Sequence, residues 1–121
     1  MNRPKMAGTS FETWLVNNFK RIGLYSRRLP EGGSLDLGDL EVVLENGMTF
    51  IVEAKAREVL NVTRETEKAR SKSGNGVMTL LIWKRLTKTK GQKRRTPDGQ
   101  KIVVCMGIDT LELLLTLAGK R

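Results

Sequence analysis

The chain of 121 residues contains no histidine and a single cysteine, Cys105. The first absence excludes Ser-His-Asp and Cys-His catalysis, histidine-bound zinc, HNH-type nucleases and histidine-dependent phosphodiesterases. The second excludes an internal disulfide and a cysteine-held zinc, and makes a reducing compartment, the cytoplasm, the expected location. Aromatic residues are only 5% of the chain. Few stand among the cations, so stacking on single-stranded bases is not suggested. No apolar run approaches the roughly 20 residues needed to span a bilayer, and Met1 to Ser10 lacks the apolar region of a signal peptide. There is no internal repeat, no helix-turn-helix or zinc-finger pattern and no linker. The length then suits a single domain over residues 1–121.

Acidic residues are scarce as well: 13 Asp plus Glu face 22 Lys plus Arg, a net charge of +9. That imbalance calls for a polyanionic partner. A membrane surface would want a basic amphipathic helix with aromatics on its apolar face, and the most basic stretch has no such periodicity. Nucleic acid is the better reading, and without a base-reading motif it is a reading of backbone and shape.

The pattern predicts a loose basic arm over residues 1–8, then a helix capped by Thr9 with Glu12 at capping-box spacing. Its inner face would hold Phe11, Trp14, Leu15, Phe19 and Ile22, and Gly23 would end it. A short strand over 24–29 carries Arg27 and Arg28. Leu40 to Glu45 alternates as a half-buried strand, Asn46-Gly47 signals a hairpin, and Met48 to Ala54 returns. Residues 57–73 are helix-tolerant, Val77 to Trp83 reads as a strand, 86–100 as a basic loop, and Ile102 to Met106 as another strand. Asp109 to Glu112 would cap a final helix running through Leu117. The order α-β-β-β-α-β-β-α is an α+β or mixed α/β layer fold.

Residues i and i+2 of a strand share a face, so Glu53 and Lys55 project together. The Asn46-Gly47 turn sets Asp39 roughly opposite Glu53. Two carboxylates so close repel unless a positive charge lies between them, and Mg²⁺ or Mn²⁺, which prefers oxygen ligands, suits that place. A lysine beside such an ion can orient one of its waters, an assembly that attacks phosphodiesters. The triplet acid-x-Lys alone has no weight, since a chain of this composition holds about one by chance. The competing reading is a solvated strand end with a cross-strand ion pair.

The ordered set Gly8-Thr9-Ser10-Phe11-Glu12, Arg27-Arg28, Asp36-Leu37-Gly38-Asp39, Val52-Glu53-Ala54-Lys55, Leu81-Ile82-Trp83-Lys84-Arg85 and Val103-Val104-Cys105-Met106 resembles the PD-(D/E)XK nuclease superfamily. More narrowly, it resembles the small Holliday-junction resolvases of archaeal type and their phage relatives. Gly38 stands where the superfamily has its proline, and the basic insertion at 86–100 is longer than the family pattern. The resemblance implies a restriction-endonuclease-like core, α-β-β-β-α-β with a mixed sheet flanked by helices, plus an extra strand and a C-terminal helix. It implies Asp39 and Glu53 as ligands of Mg²⁺ or Mn²⁺, with the Ala54 carbonyl as a further ligand. It also implies that Lys55 positions the attacking water and that Glu12 reaches the site from the first helix. Glu12 is equally well a capping-box residue, and Asp36 is a rival for Asp39. The implied activity is metal-dependent, structure-selective DNA cleavage, most characteristically resolution of four-way junctions by paired symmetric nicks, leaving 5′-phosphate and 3′-hydroxyl ends. The alternatives are a nuclease of the same fold acting on other DNA and a non-catalytic basic nucleic-acid-binding protein.

Candidate DNA contacts are Arg27, Arg28, Lys84, Arg85, Lys88, Lys90, Lys93, Arg94 and Arg95, with Arg64, Lys68 and Lys72 spaced along one side of a helix. The competing reading for the last three is an ordinary solvated face. The terminal helix is apolar on more than one side, which suits burial or an interface. A branched substrate with two strands to cut suits a C₂ homodimer. Cys105, inside an apolar strand, reads as a core residue.

Overall fold

The computed structural model describes residues 3–30, 38–74, 77–86 and 101–119. Eight elements follow in order: α1 (Arg3–Arg21), β1 (Tyr25–Arg28), β2 (Leu40–Val43), β3 (Thr49–Arg57), α2 (Val62–Ser71), β4 (Val77–Arg85), β5 (Ile102–Cys105) and α3 (Ile108–Gly119). This is an α+β architecture with one five-stranded mixed sheet in the order β1-β2-β3-β4-β5. The β3–β4 pair is parallel, with α2 as its crossover, and the other three pairs are antiparallel.

Two glycines set the chain reversals that matter. Leu24 donates to the Phe19 carbonyl and Gly23 to the Lys20 carbonyl. With Gly23 at φ +93°, this is the Schellman arrangement that ends a helix. At the hairpin, Gly47 (φ +88°) donates to the Leu44 carbonyl, and Leu44 donates to the Met48 carbonyl. Asn46-Gly47 thus belongs to a three-residue loop, and the strands leave it with Val43 opposite Thr49 and Leu40 opposite Val52.

The register decides the layers. Phe11, Leu15 and Val16 of α1 pack on Leu40, Val42, Val52, Ala54, Ala56 and Ile82. Ile51, Glu53 and Lys55 alternate onto the opposite face, where Lys72, at the end of α2, reaches Glu53. Burying the α1 face is the main driving force, at about 25 cal/mol per Å² of apolar surface.

Several sequence expectations are corrected. The first helix starts at Arg3 and not at a Thr9 cap, so most of the expected arm is helical. Pro4 is tolerated in a first turn, and each added residue then gains a backbone bond. Trp14 and Ile22 are exposed, because the 11-15-19 spacing with Val16 turns the buried face away from them and Ile22 lies past the last turn. Trp14 instead stacks on Phe11, with ring centroids 6.4 Å apart. Strands β3 and β4 run on to Arg57 and Arg85, each extended by its parallel partner. The cap position of α3 is Gly107, whose carbonyl accepts from Thr110 and Leu111, and not Asp109.

Phe11 is only 1% exposed and joins α1 to the sheet. Phe11→Ala should lower the unfolding free energy by about 3–5 kcal/mol, measured by urea denaturation. A loss below about 1 kcal/mol would show that α1 is not docked as described.

Candidate active site

The site begins where β2 leaves the sheet. Leu40–Val52 is the last pair of β2 with β3, and Asp39, just before it, lies against the Val52 to Ala54 stretch of β3. The Asp39 N–H donates to the Val52 carbonyl (2.9 Å) and the Asp39 carbonyl accepts from Leu29 (2.9 Å). The next ladder acceptor for Ala54 would come from Gly38, but the chain turns away there at φ +147°. The Asp39 carboxylate takes its place, with Oδ2 accepting the Ala54 N–H at 2.8 Å. Because the N–H and C=O of one strand residue point to the same edge, the Ala54 carbonyl faces the Asp39 side too. Asp39, Glu53 and the Ala54 carbonyl offer oxygen donors on this stretch of chain, the ligand type a hard divalent cation prefers. Among the described residues no three His, Cys, Asp or Glu side chains gather around one point, so such a set depends on the main-chain oxygen and on water.

Gly38 is required by this geometry. A Cβ there would collide with Ile51 Cγ2 and press on the Val52 carbonyl at 3.3 Å, with Glu53 Oε1 at 3.7 Å. The glycine lets the chain lie flat over Ile51 beside the Glu53 carboxylate.

Glu53 and Lys55 share the face opposite α1, as the spacing predicts, but they are not a solvated strand end. The Glu53 side chain is 14% exposed, and its Oε1 accepts from Lys72 Nζ at 2.5 Å. Among the described residues Lys55 forms no ion pair. One lysine thus neutralises Glu53 while a second, on the same strand face, is left to meet an anion or a water.

Glu12 accepts from Arg28 Nε at 3.3 Å, and Arg28, opposite Leu40, projects on the α1 side of the sheet. The capping-box role of Glu12 falls with the helix start at Arg3.

The basic residues divide. Lys84 is only 9% exposed and lies over the Phe11 ring, 5.5 Å from its centroid. Burial pushes its ammonium below the usual lysine range, so its assignment as a DNA contact is corrected to a core position. Lys72 turns inward to Glu53 and leaves the row formed with Arg64 and Lys68, because it is the C-cap of α2 and not a residue of its outer face. Arg27 is exposed and donates to Glu41 at 2.6 Å, a hydrogen bond that raises its already high pKa. Arg64, Lys68 and Arg85 are exposed. Asp36, Lys88, Lys90, Lys93, Arg94 and Arg95 lie outside the described residues. Cys105 is half-buried, and burial pushes its thiol up; such a thiol is a poor nucleophile at neutral pH.

The sequence reading missed the inner face of α2. Glu65, Ala69 and Lys72 recur at i, i+4 and i+7, and Glu65 and Ala69 are buried. That spacing, with a small residue in the middle, was the available signal.

Gly38→Ala should lower stability by at least about 1 kcal/mol, measured by chemical denaturation; an unchanged midpoint would contradict the close approach of Gly38 to Ile51. Compared with known proteins, the chain matches no family model, and no curated sequence shows significant similarity to it.

Proposed function

We propose that this protein is a metal-dependent, structure-selective DNA endonuclease with a restriction-endonuclease-like core, resolving Holliday junctions by paired nicks. The observation that carries the proposal is the Asp39 carboxylate, fixed on the N–H of Ala54, the residue after Glu53 in β3, with Lys55 on the Glu53 face. The order α1-β1-β2-β3-α2-β4 and the mixed sheet support the fold assignment.

Magnesium or manganese held at this place would supply Lewis-acid polarisation of a phosphodiester and a more acidic water. Asp39 and Glu53 would hold the ion, with the Ala54 carbonyl beside them. Lys55 orients the attacking water and offsets charge developing on the phosphoryl oxygens. Glu12 acts at one remove: it holds Arg28, next to Leu29, whose N–H binds the Asp39 carbonyl. Of the candidate DNA contacts, Arg27, Arg28, Arg64, Lys68 and Arg85 are exposed and are offered to the DNA backbone, and the cations of 87–100 add to them by composition.

A second copy of the chain fits α3. Thr110 is its one buried described residue, while Ile108, Leu111 and Leu115, at i, i+3 and i+7, are 71%, 38% and 62% exposed. An apolar stripe of this kind calls for a cover, and a twofold substrate calls for a twofold enzyme.

The test is a synthetic four-way junction incubated with the protein, with and without Mg²⁺. Expected are paired symmetric nicks that need the metal and fall at least about 100-fold in Glu53→Ala and in Lys55→Ala. Equal cleavage of linear duplex would favour a nuclease of other specificity, and tight binding without cleavage a purely binding protein. Light scattering should give twice the chain mass for the wild type and a monomer for Ile108→Glu/Leu115→Glu; a monomeric wild type would rule out the dimer.

A further inference from the structure

Lys72 is not placed like a surface lysine. It is the C-cap of α2, and its N–H donates to the Ala69 carbonyl. The next residue, Ser73, donates its N–H to the Arg70 carbonyl. The Ser73 hydroxyl accepts from the Thr79 N–H of β4 at 2.8 Å. The main chain on either side of Lys72 is thereby tied both to the helix and to the sheet. Its side chain, 28% exposed, runs across to Glu53.

A half-buried carboxylate in contact with an ammonium is stabilised by more than a solvent-exposed pair, because the surroundings screen less than water. The same Oε1 cannot keep this contact and also bind a divalent cation, since two positive charges at that distance repel. We infer that Lys72 is the resident counter-cation of Glu53, which a divalent metal must displace, so that Lys72 sets the metal affinity of the site. This rests on the reading of Asp39 and Glu53 as metal ligands. It makes Lys72 a positioning and regulatory residue, distinct from Lys55, which faces the same site but does not hold Glu53. Displacement leaves an ammonium beside the site that a substrate phosphate can take up. Metal and DNA then bind with positive coupling, and by linkage each strengthens the other equally.

The test is a titration of the full chain with Mn²⁺, reading free ion by electron paramagnetic resonance, in wild type, Lys72→Met, Lys72→Gln and Lys72→Arg. Glu53→Gln serves as the control that locates binding, and thermal melts verify folding. Lys72→Met and Lys72→Gln should bind Mn²⁺ at least about fivefold more tightly than wild type. Lys72→Arg, which keeps a cation, should stay within about twofold. In the unmutated protein, the Lys72 Nζ resonance should shift on saturation with Mg²⁺, a readout that survives any folding defect of the variants. Equal affinities in all Lys72 variants, or weaker binding in Lys72→Met and Lys72→Gln, would overturn the displacement while leaving the metal site standing. No Mn²⁺ bound at millimolar concentration by any variant, or binding unaffected by Glu53→Gln, would overturn both.

Discussion

The pairing of β2 with β3 carries the rest of the structure. Val43 opposite Thr49 and Leu40 opposite Val52 send Leu40, Val42, Val52 and Ala54 into the core under α1 and send Glu53 and Lys55 to the other side. A slip of one residue would exchange the two sets, burying a carboxylate and an ammonium and exposing the valines. The hydrophobic demand of the core therefore fixes where the acidic and basic groups stand. The turn at Gly47 and the departure at Gly38 mark the two ends of this pairing. Asp39, at the second end, completes the ladder with its side chain where the backbone no longer can.

The charges on the far face are balanced by α2. Its buried side carries Glu65, Ala69 and Lys72, and its C-cap delivers Lys72 to Glu53. Cations near a helix C-terminus are favoured by the helix dipole, so the placement of Lys72 is supported both by its own helix and by the carboxylate it meets. The proposed chemistry then divides labour between two lysines, one holding the acid and one facing the substrate side. Arg28 and Glu12 do analogous work on the α1 side, where they brace the strand that binds the Asp39 carbonyl.

The order of elements was legible from periodicity and turn residues, because Gly23, Asn46-Gly47 and the apolar alternation of β2 act locally. The approach of Asp39 to the end of β3 was legible for the same reason, since a hairpin register can be counted from its turn. What the sequence could not give depends on packing across layers. The burial of Lys84 under Phe11 is decided by the face that α1 covers, and a cation between Trp83 and Arg85 looks basic in any linear reading. Lys72 followed the i, i+4 spacing of Arg64 and Lys68 on paper, yet the helix ends before it and its direction is set by the cap. Glu12 looked like a cap because Thr9 precedes it by three residues, a spacing that means nothing once the helix begins at Arg3.

The central claim is that the oxygens of Asp39, Glu53 and Ala54 form one cation site. A crystal grown with Mn²⁺ and recorded at a wavelength where manganese scatters anomalously tests it most directly. The account requires a peak between the two carboxylates, with oxygens of Asp39 and Glu53 at about 2.0–2.3 Å and the Lys72 ammonium withdrawn from Glu53. A structure at saturating Mn²⁺ with no peak there, and Lys72 still seated on Glu53, would contradict it.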